Sequence, residues 1–123
     1  MKMKMNRNVR AVAVMVAAAG LVVPAWGAKA EDTKTVTGEV VDLMCYLDHG
    51  AKGEKHADCA ETCIKSGGPV GLLTKKDQLY LVIGDHKPMN DQLASHAGKT
   101  ITLKGKVVER NGIRMIENAS IEK

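Results

Sequence analysis

Five stretches of the chain carry β-branched and apolar residues in the short, partly alternating runs that are typical of β-strands. A polar turn at residues 75–78 joins the second stretch to the third, and the dipeptide Asn111-Gly112 joins the fourth to the fifth. Asn-Gly between two such runs is the strongest short-range signal for a hairpin. The pattern therefore predicts one strand followed by two hairpins, with strands at residues 35–43, 70–73, 79–83, 100–108 and 113–121.

Two stretches between the strands have helical character. Residues 54–66 precede a Gly-Gly-Pro sequence, which is a typical helix stop, and they follow a polar, glycine-containing loop over residues 48–55. Residues 90–98 begin at Asn90, a good N-cap residue, and end at a glycine. We therefore predict one helix after the first strand and a second, shorter helix before the fourth.

Together these elements predict a mainly β protein. Five strands of this length form a small, partly open barrel of the OB type, with a cysteine-bearing helical insertion after the first strand. Gly38 lies inside the first strand, where a glycine indicates a bulge or a sharp bend.

Two short motifs resemble a known group of domains. The first is the Gly-x-Val-Val-Asp sequence at residues 38–42, and the second is the Ala-Gly-Lys sequence at residues 97–99 that leads into the alternating fourth strand. Small exported bacterial domains of the OB-fold type, a largely uncharacterised group, carry similar motifs, and the resemblance extends over residues 35–121. It implies an OB-like barrel. Because OB-folds serve many unrelated tasks, the resemblance does not name a function.

The first 30 residues have the features of a Sec-type signal peptide. Basic residues within the first ten positions precede an apolar run over residues 11–23, and Ala28-Lys29-Ala30 provides a small-x-small cleavage pattern. The apolar run is too short to span a bilayer as a helix, which takes about 20 residues. We therefore expect cleavage after Ala30, a periplasmic or secreted location and no membrane span after cleavage. A mobile lead-in over residues 31–34 and a single domain over residues 35–123 complete the predicted organisation.

The charge of the chain changes when the leader is set aside. The full sequence has 18 basic and 14 acidic residues, but five of the basic residues and none of the acidic ones lie in residues 1–30. The remainder therefore has a formal charge of −1, and its only aromatic residues are Tyr46 and Tyr80. Binding of single-stranded nucleic acid uses a positive groove and several stacking aromatics, so we do not expect a nucleic-acid partner.

Candidate chemistry is concentrated between the first two predicted strands, where all three cysteines lie. In the predicted helix, His56, Cys59 and Cys63 occupy positions i, i+3 and i+7 and project from one face. Cys45 lies upstream, at the expected end of the first strand. Three thiolates and an imidazole form a four-ligand set of the types known for zinc, and sulfur ligands also suit Cu(I). We therefore expect a metal site of Cys45, His56, Cys59 and Cys63, with His49 as an auxiliary ligand.

The same cysteines are open to a second interpretation. Cys59 and Cys63 are four residues apart, which places their Cβ atoms about 6 Å apart on a helix, whereas a disulfide needs about 3.5–4.5 Å. A bridge within the helix is therefore disfavoured, but Cys45 can pair with either Cys59 or Cys63 across a flexible loop. Because the number of cysteines is odd, such a disulfide leaves one spare thiol.

Two functional hypotheses correspond to these alternatives. The first is an exported domain whose cluster of three cysteines and one histidine binds zinc or Cu(I), in a structural or metal-handling role, with a metal-delivery protein as candidate partner. The second is a disulfide-stapled OB-like interaction module of the cell envelope, whose grooved face binds a peptide, a glycan or another envelope protein. The sequence contains no nucleophile elbow, paired carboxylates or phosphate-binding glycine loop, so we do not expect an enzyme. It does not predict an oligomeric state.

Overall fold

The computed structural model describes residues 33–123, so the predicted leader, its cleavage site and the start of the lead-in lie outside the described residues. In chain order the elements are β1 (Thr33–Asp42), α1 (Leu43–His49), a 3₁₀ segment (Glu54–His56), α2 (Ala57–Lys65), β2 (Val70–Leu73), β3 (Leu79–Val82), α3 (Asn90–Leu93), a second 3₁₀ segment (Ala94–His96), β4 (Thr100–Arg110) and β5 (Ile113–Ile121). No helix in this part of the chain is long and apolar enough to cross a membrane.

The five strands form one closed barrel. Around the barrel they follow the order β1, β2, β3, β5, β4, and β4 pairs with β1. Neighbouring strands are antiparallel except for β3 and β5, which are parallel. The mainly β prediction is confirmed, and the topology is consistent with an OB-like barrel.

The barrel is closed, whereas the sequence predicts a partly open one. Closure depends on the pairing of β3 with β5, in which Leu81 lies opposite Met115 and Val82 lies opposite Ile116. This pairing is short and joins strands that are separated by three other elements of the chain. No local pattern in the sequence therefore indicates it.

β1 takes part in two ladders. Residues 33–39 pair with β4, and residues 39–42 pair with β2. The register with β4 continues across Gly38 without a shift, so the predicted bulge is not present there. A Cβ at this position would lie 2.6 Å from the Leu73 carbonyl oxygen. Close approach of β1 to β2 is therefore what requires a glycine at position 38.

Both hairpins lie where the sequence predicts them. Asn111 and Gly112 have φ angles of 52° and 83°, and a turn with positive φ at both central residues matches the twist of the flanking strands. β1 begins two residues before its predicted start, because Thr33 pairs with Lys106 of β4.

The main apolar core fills the barrel and extends to the helices. Leu103 and Ile116 of the barrel are fully buried, and Ile64 of α2 and Leu93 of α3 are fully buried in the same cluster. The helix predicted over residues 54–66 is confirmed as a 3₁₀ segment followed by α2. Burial of its apolar face makes α2 part of the core of the domain.

A second, smaller apolar cluster lies on the outer face of β1 and β2. Val40 belongs to the main core and Val41 to this cluster, and successive residues of a strand point to opposite faces of the sheet. Leu43 and Tyr46 of α1 pack here. The Leu43 side chain occupies the space where a Cβ of Gly71 would lie, at 2.6 Å, so α1 contacts the sheet closely.

Helix α1 was not predicted. The sequence pattern predicts that the first strand continues to Leu43 and that a loop begins at residue 48, whereas the strand ends at Asp42 and the chain turns directly into a helix. Asp42 caps the start of α1, and Gly50, with φ of 71°, ends it. Cys45 therefore lies on a helix and not at the end of a strand.

Candidate metal centre

Residues 43–69, which we call the cysteine insertion, connect β1 to β2 and hold all three cysteines. The two ends of the insertion meet at one position of the β1–β2 ladder. Asp42 lies opposite Val70, and the N–H of Leu43 donates to the carbonyl of Pro69 at 3.0 Å. The barrel therefore fixes both ends of the insertion.

Asp42 fixes the start of α1 and with it the position of Cys45. Its side chain is 2% exposed, and its two carboxylate oxygens accept hydrogen bonds from the backbone N–H groups of Met44 and Cys45, both at 3.2 Å. An N-cap of this kind stabilises a helix by about 1 kcal/mol. Asp42 is the only buried charged residue in the part of the chain that the structure describes.

α2 carries the other two cysteines. Ile64 anchors the helix in the main core, while Cys63 is half-buried and Cys59 is exposed. The last turn of α2 is tied to α3, because the Nδ2 group of Asn90 donates to the carbonyls of Ile64 and Gly68, both at 2.7 Å. The two cysteines thus lie on a helix that is held both along its apolar face and at its C-terminus.

The three sulfur atoms meet between α1 and α2. The Sγ atoms of Cys45, Cys59 and Cys63 all lie within 4.8 Å of one another. A tetrahedral metal with bonds of about 2.3 Å to sulfur holds two thiolates about 3.8 Å apart, so a contraction of at most about 1 Å brings the sulfurs to ligand positions. All three cysteines are free thiols. The prediction that Cys45 joins the two cysteines of the helix is confirmed.

The thiols of Cys45 and Cys63 are held in their protonated form. A hydrogen bond to the Asp42 carboxylate, partial burial and the negative charge of Asp42 raise the pKa of Cys45 to about 12. Partial burial and the same negative charge raise the pKa of Cys63. A thiolate beside a carboxylate is a like-charge pair, which disfavours ionisation of the thiol. A cation bound by these sulfurs would have to displace their protons.

The two candidate histidines lie at the rim of the site. His49 and His56 are exposed, and they line a small cavity together with Cys45 and Cys59. Neither histidine belongs to the group of donor atoms that lie within 4.8 Å of one another, which consists of the three sulfurs. The Nδ1 atom of His49 lies 3.2 Å from the Asp48 carboxylate. A proton on Nδ1 leaves Nε2 as the ligand atom.

The cavity beside the sulfurs has a volume of about 20 Å³, which is about the space that one water molecule needs. One wall is formed by Glu39 of β1 and by Gly53, whose N–H donates to the Glu39 carboxylate. This contact ties the loop after α1 to the barrel. The sequence does not predict this contact, because nothing in the local sequence of either residue indicates the other.

Comparison of the chain with protein-family models, with curated proteins and with solved structures gives no significant match. What the site can bind must therefore be inferred from the geometry of its donor groups. Three soft donors lie close together, partial burial and one buried carboxylate raise the pKa values of two of them, and two histidines lie at the edge.

Proposed function

We propose that this protein binds a thiophilic metal ion, Cu(I) or zinc, through Cys45, Cys59 and Cys63, in a metal-handling role. The observation that supports this most directly is the convergence of three sulfur atoms from two helices to within 4.8 Å of one another. Thiolate ligands select soft and borderline metals. Within residues 33–123, these three cysteines are the one group of three or more His, Cys, Asp or Glu donors that meets this distance.

The number of close donors favours Cu(I) over zinc. Zinc in protein sites is almost always bound by four ligands, and the fourth would have to come from the rim of the site. Cu(I) is a softer ion and is commonly satisfied by thiolates alone. We therefore expect Cu(I) to bind through the three cysteines, and zinc to bind with His56 or the auxiliary His49 as its fourth ligand.

The exposure of the site supports metal handling rather than a purely structural role. Cys59 is exposed, so an ion bound to its sulfur could be reached by a second protein. The main core packs without any contribution from the three sulfurs. Met44 and Leu47, which flank Cys45 and Tyr46 on α1, are 62% and 70% exposed. An exposed sulfur beside apolar side chains would give a metal-delivery partner access to the ion. If the leader exports the chain, that partner lies in the cell envelope.

Anaerobic titration with Cu(I) against a chromophoric chelator, followed by native mass spectrometry, tests this proposal. The reduced protein should bind one ion per chain, and Cys45→Ser, Cys59→Ser and Cys63→Ser should each abolish tight binding. Thr62→Ala is a matched control, because it changes an exposed residue of α2 next to Cys63. Reduced protein that takes up neither Cu(I) nor zinc contradicts the proposal.

Zinc binding separates the roles of the two histidines. We expect His56→Ala or His49→Ala to weaken zinc binding while leaving Cu(I) binding unchanged. His96→Ala, which alters a histidine of the second 3₁₀ segment, is the control. Equal losses of both metals in a histidine variant would contradict the assignment of three sulfurs to Cu(I).

A second candidate function is the disulfide-stapled interaction module, and the proximity of Cys45 to both cysteines of α2 favours it specifically. Exchange with a disulfide oxidant would join Cys45 to Cys59 or Cys63, and the two thiol protons would pass to the two thiols of the reduced oxidant. Thiol counting and peptide mapping of protein recovered from its native compartment decide between the two. One disulfide and one free thiol support the module, and three free thiols support the metal site.

A further inference from the structure

A broad groove crosses the barrel beside the cysteine insertion. Its volume is about 710 Å³, within the range of roughly 300–1,000 Å³ that is typical of ligand sites. The groove arises because the β1–β2 ladder ends at Glu39 and Leu73, while the first half of β1 pairs with β4 instead. The turn between β2 and β3 therefore stands apart from the first half of β1, and the groove lies between them.

The groove carries an excess of positive charge. Lysines from three separate segments line it, against two acidic residues, and they are Lys34, Lys52, Lys75 and Lys76. None of these four lysines forms a salt bridge within residues 33–123. Of the two acidic residues, Glu39 already accepts the hydrogen bond from Gly53. This local excess is hidden in the overall charge, because basic and acidic residues nearly balance once the leader is set aside.

Between the lysines, the lining of the groove is rich in hydroxyl groups. Threonines from β1, from the turn after β2 and from β4 contribute them, at positions 35, 37, 74 and 100. Tyr80 is half-buried in the wall, and its hydroxyl donates to Gln78 at 3.3 Å. Hydroxyl groups hydrogen bond well to sugars, and the face of an aromatic ring packs against the apolar face of a pyranose.

We propose that this groove binds an acidic polysaccharide of the uronic-acid type. The carboxylates of such a chain pair with the lysines, and one sugar ring packs on Tyr80. The four lysines come from three separate segments of the lining, and an extended ligand can contact all three segments. Single-stranded nucleic acid also carries regular negative charge, but its binding relies on several stacking aromatics. Tyr80 is the only aromatic residue in this lining.

Isothermal titration with an oligogalacturonate tests this proposal, with the fully methyl-esterified oligomer as the uncharged control and a single-stranded oligonucleotide as the competing class. We expect binding of the acidic oligomer and none of the methyl ester. The affinity should fall as the salt concentration rises from about 0.05 M to about 0.3 M, because exposed charges are increasingly screened.

Surface variants locate the binding site. Lys75→Gln combined with Lys76→Gln should weaken binding about three- to tenfold, since each exposed ion pair contributes at most about 1 kcal/mol. Lys87→Gln combined with Lys123→Gln removes the same charge outside the groove lining and should have a smaller effect. Tyr80→Leu should weaken binding while retaining the salt dependence. The proposal is overturned by equal binding of the methyl ester, by equal effects of the two lysine pairs, by tighter binding of the oligonucleotide, or by no binding of the acidic oligomer.

Discussion

The barrel and the cysteine insertion are stabilised by different kinds of contact. The barrel is closed by continuous ladders around an apolar core in which Leu103 and Ile116 are fully buried. The insertion, residues 43–69, buries fewer side chains than the barrel, and besides the apolar anchor Ile64 it is held by polar contacts at its edges, among them the Asp42 cap and the Asn90 amide. Segments with few buried apolar contacts open locally at lower cost than a core does. We therefore expect the candidate metal site to lie on the part of the domain that opens more readily.

The two helices of the insertion also differ from each other. α2 is anchored in the main core by Ile64, whereas α1 rests on the outer face of the sheet through Leu43 and Tyr46. The sulfurs are the point where the two helices meet. A metal bound there would join α1 to α2, and hence to the core. The difference in local stability between the cysteine insertion and the barrel should consequently become smaller when metal binds.

The largest expected effect belongs to the barrel core. Leu103→Ala should lower the free energy of unfolding by about 2–5 kcal/mol, because it removes a fully buried side chain and leaves a cavity. Urea denaturation followed by circular dichroism measures this loss. Leu47→Ala, at an exposed position of α1, is the control and should change stability little. A small loss for Leu103→Ala would show that the apolar core is not what stabilises the domain.

Metal binding should have the next largest effect, and it should act on the insertion first. At a free ion concentration 100 times the dissociation constant, a ligand stabilises the native state by about 2.7 kcal/mol. Hydrogen exchange should show the greatest gain in protection in α1 and the least in β4 and β5. A chelator should reverse the gain, and Cys59→Ser should not show it. An equal gain in protection in the insertion and in the barrel would contradict the expectation that metal binding stabilises the insertion first.

Loss of the α1 cap should have a smaller effect. Asp42→Ala removes the side chain that accepts from Met44 and Cys45, and a lost N-cap costs about 0.5–2 kcal/mol. Asp42→Asn retains a capping oxygen and should cost less. The pair of variants can be compared by thermal unfolding. If both lose the same stability, the charge of Asp42 rather than its cap holds α1 in place.

Asp42→Asn should have the smallest effect on stability at neutral pH. It should nevertheless change the pKa of the Cys45 thiol clearly. Loss of the carboxylate should lower the pKa of Cys45 from about 12 towards the ordinary value of 9.0. Ultraviolet titration of the thiolate in this variant and in its Cys45→Ser double variant isolates that one group.

The raised pKa of Cys45 also determines the direction in which stability changes with pH. Because the folded-state pKa of Cys45 exceeds 9.0, its stabilising contribution is complete below pH 9 and is lost as the pH rises towards 12. In Asp42→Asn this decline should be weaker. An unchanged thiolate titration in the variant would mean that burial alone raises the pKa of Cys45.

The strands and hairpins could be predicted because their signals are local. Asn111-Gly112 specifies its turn by residue type alone, and the alternating runs on either side specify the strands. Closure of the barrel could not be predicted in the same way. The pairing of Leu81 with Met115 joins parts of the chain that are far apart in sequence, and no periodicity within either strand encodes its partner.

The candidate site was predicted in part. Cys59 and Cys63 lie on the helix that their surroundings indicate, and Cys45 joins them. Helix α1 was missed although Asp42 and Gly50 are both suitable cap residues. The apolar residues that end β1 continue into α1, so the run looks like one longer strand. The capping role of Asp42 and its contact with the Cys45 thiol depend on burial, which local sequence does not reveal.

The meeting of both ends of the insertion at Asp42 and Val70 has a consequence for how the domain can diversify. A segment that leaves and rejoins a ladder at the same position can be lengthened, shortened or exchanged without altering the register of any strand. Residues such as Ile64 limit this freedom, because a replacement segment must still supply an apolar side chain to the core. Segments with different functional residues could replace the insertion on the same barrel, provided that each segment supplies an apolar side chain to the core.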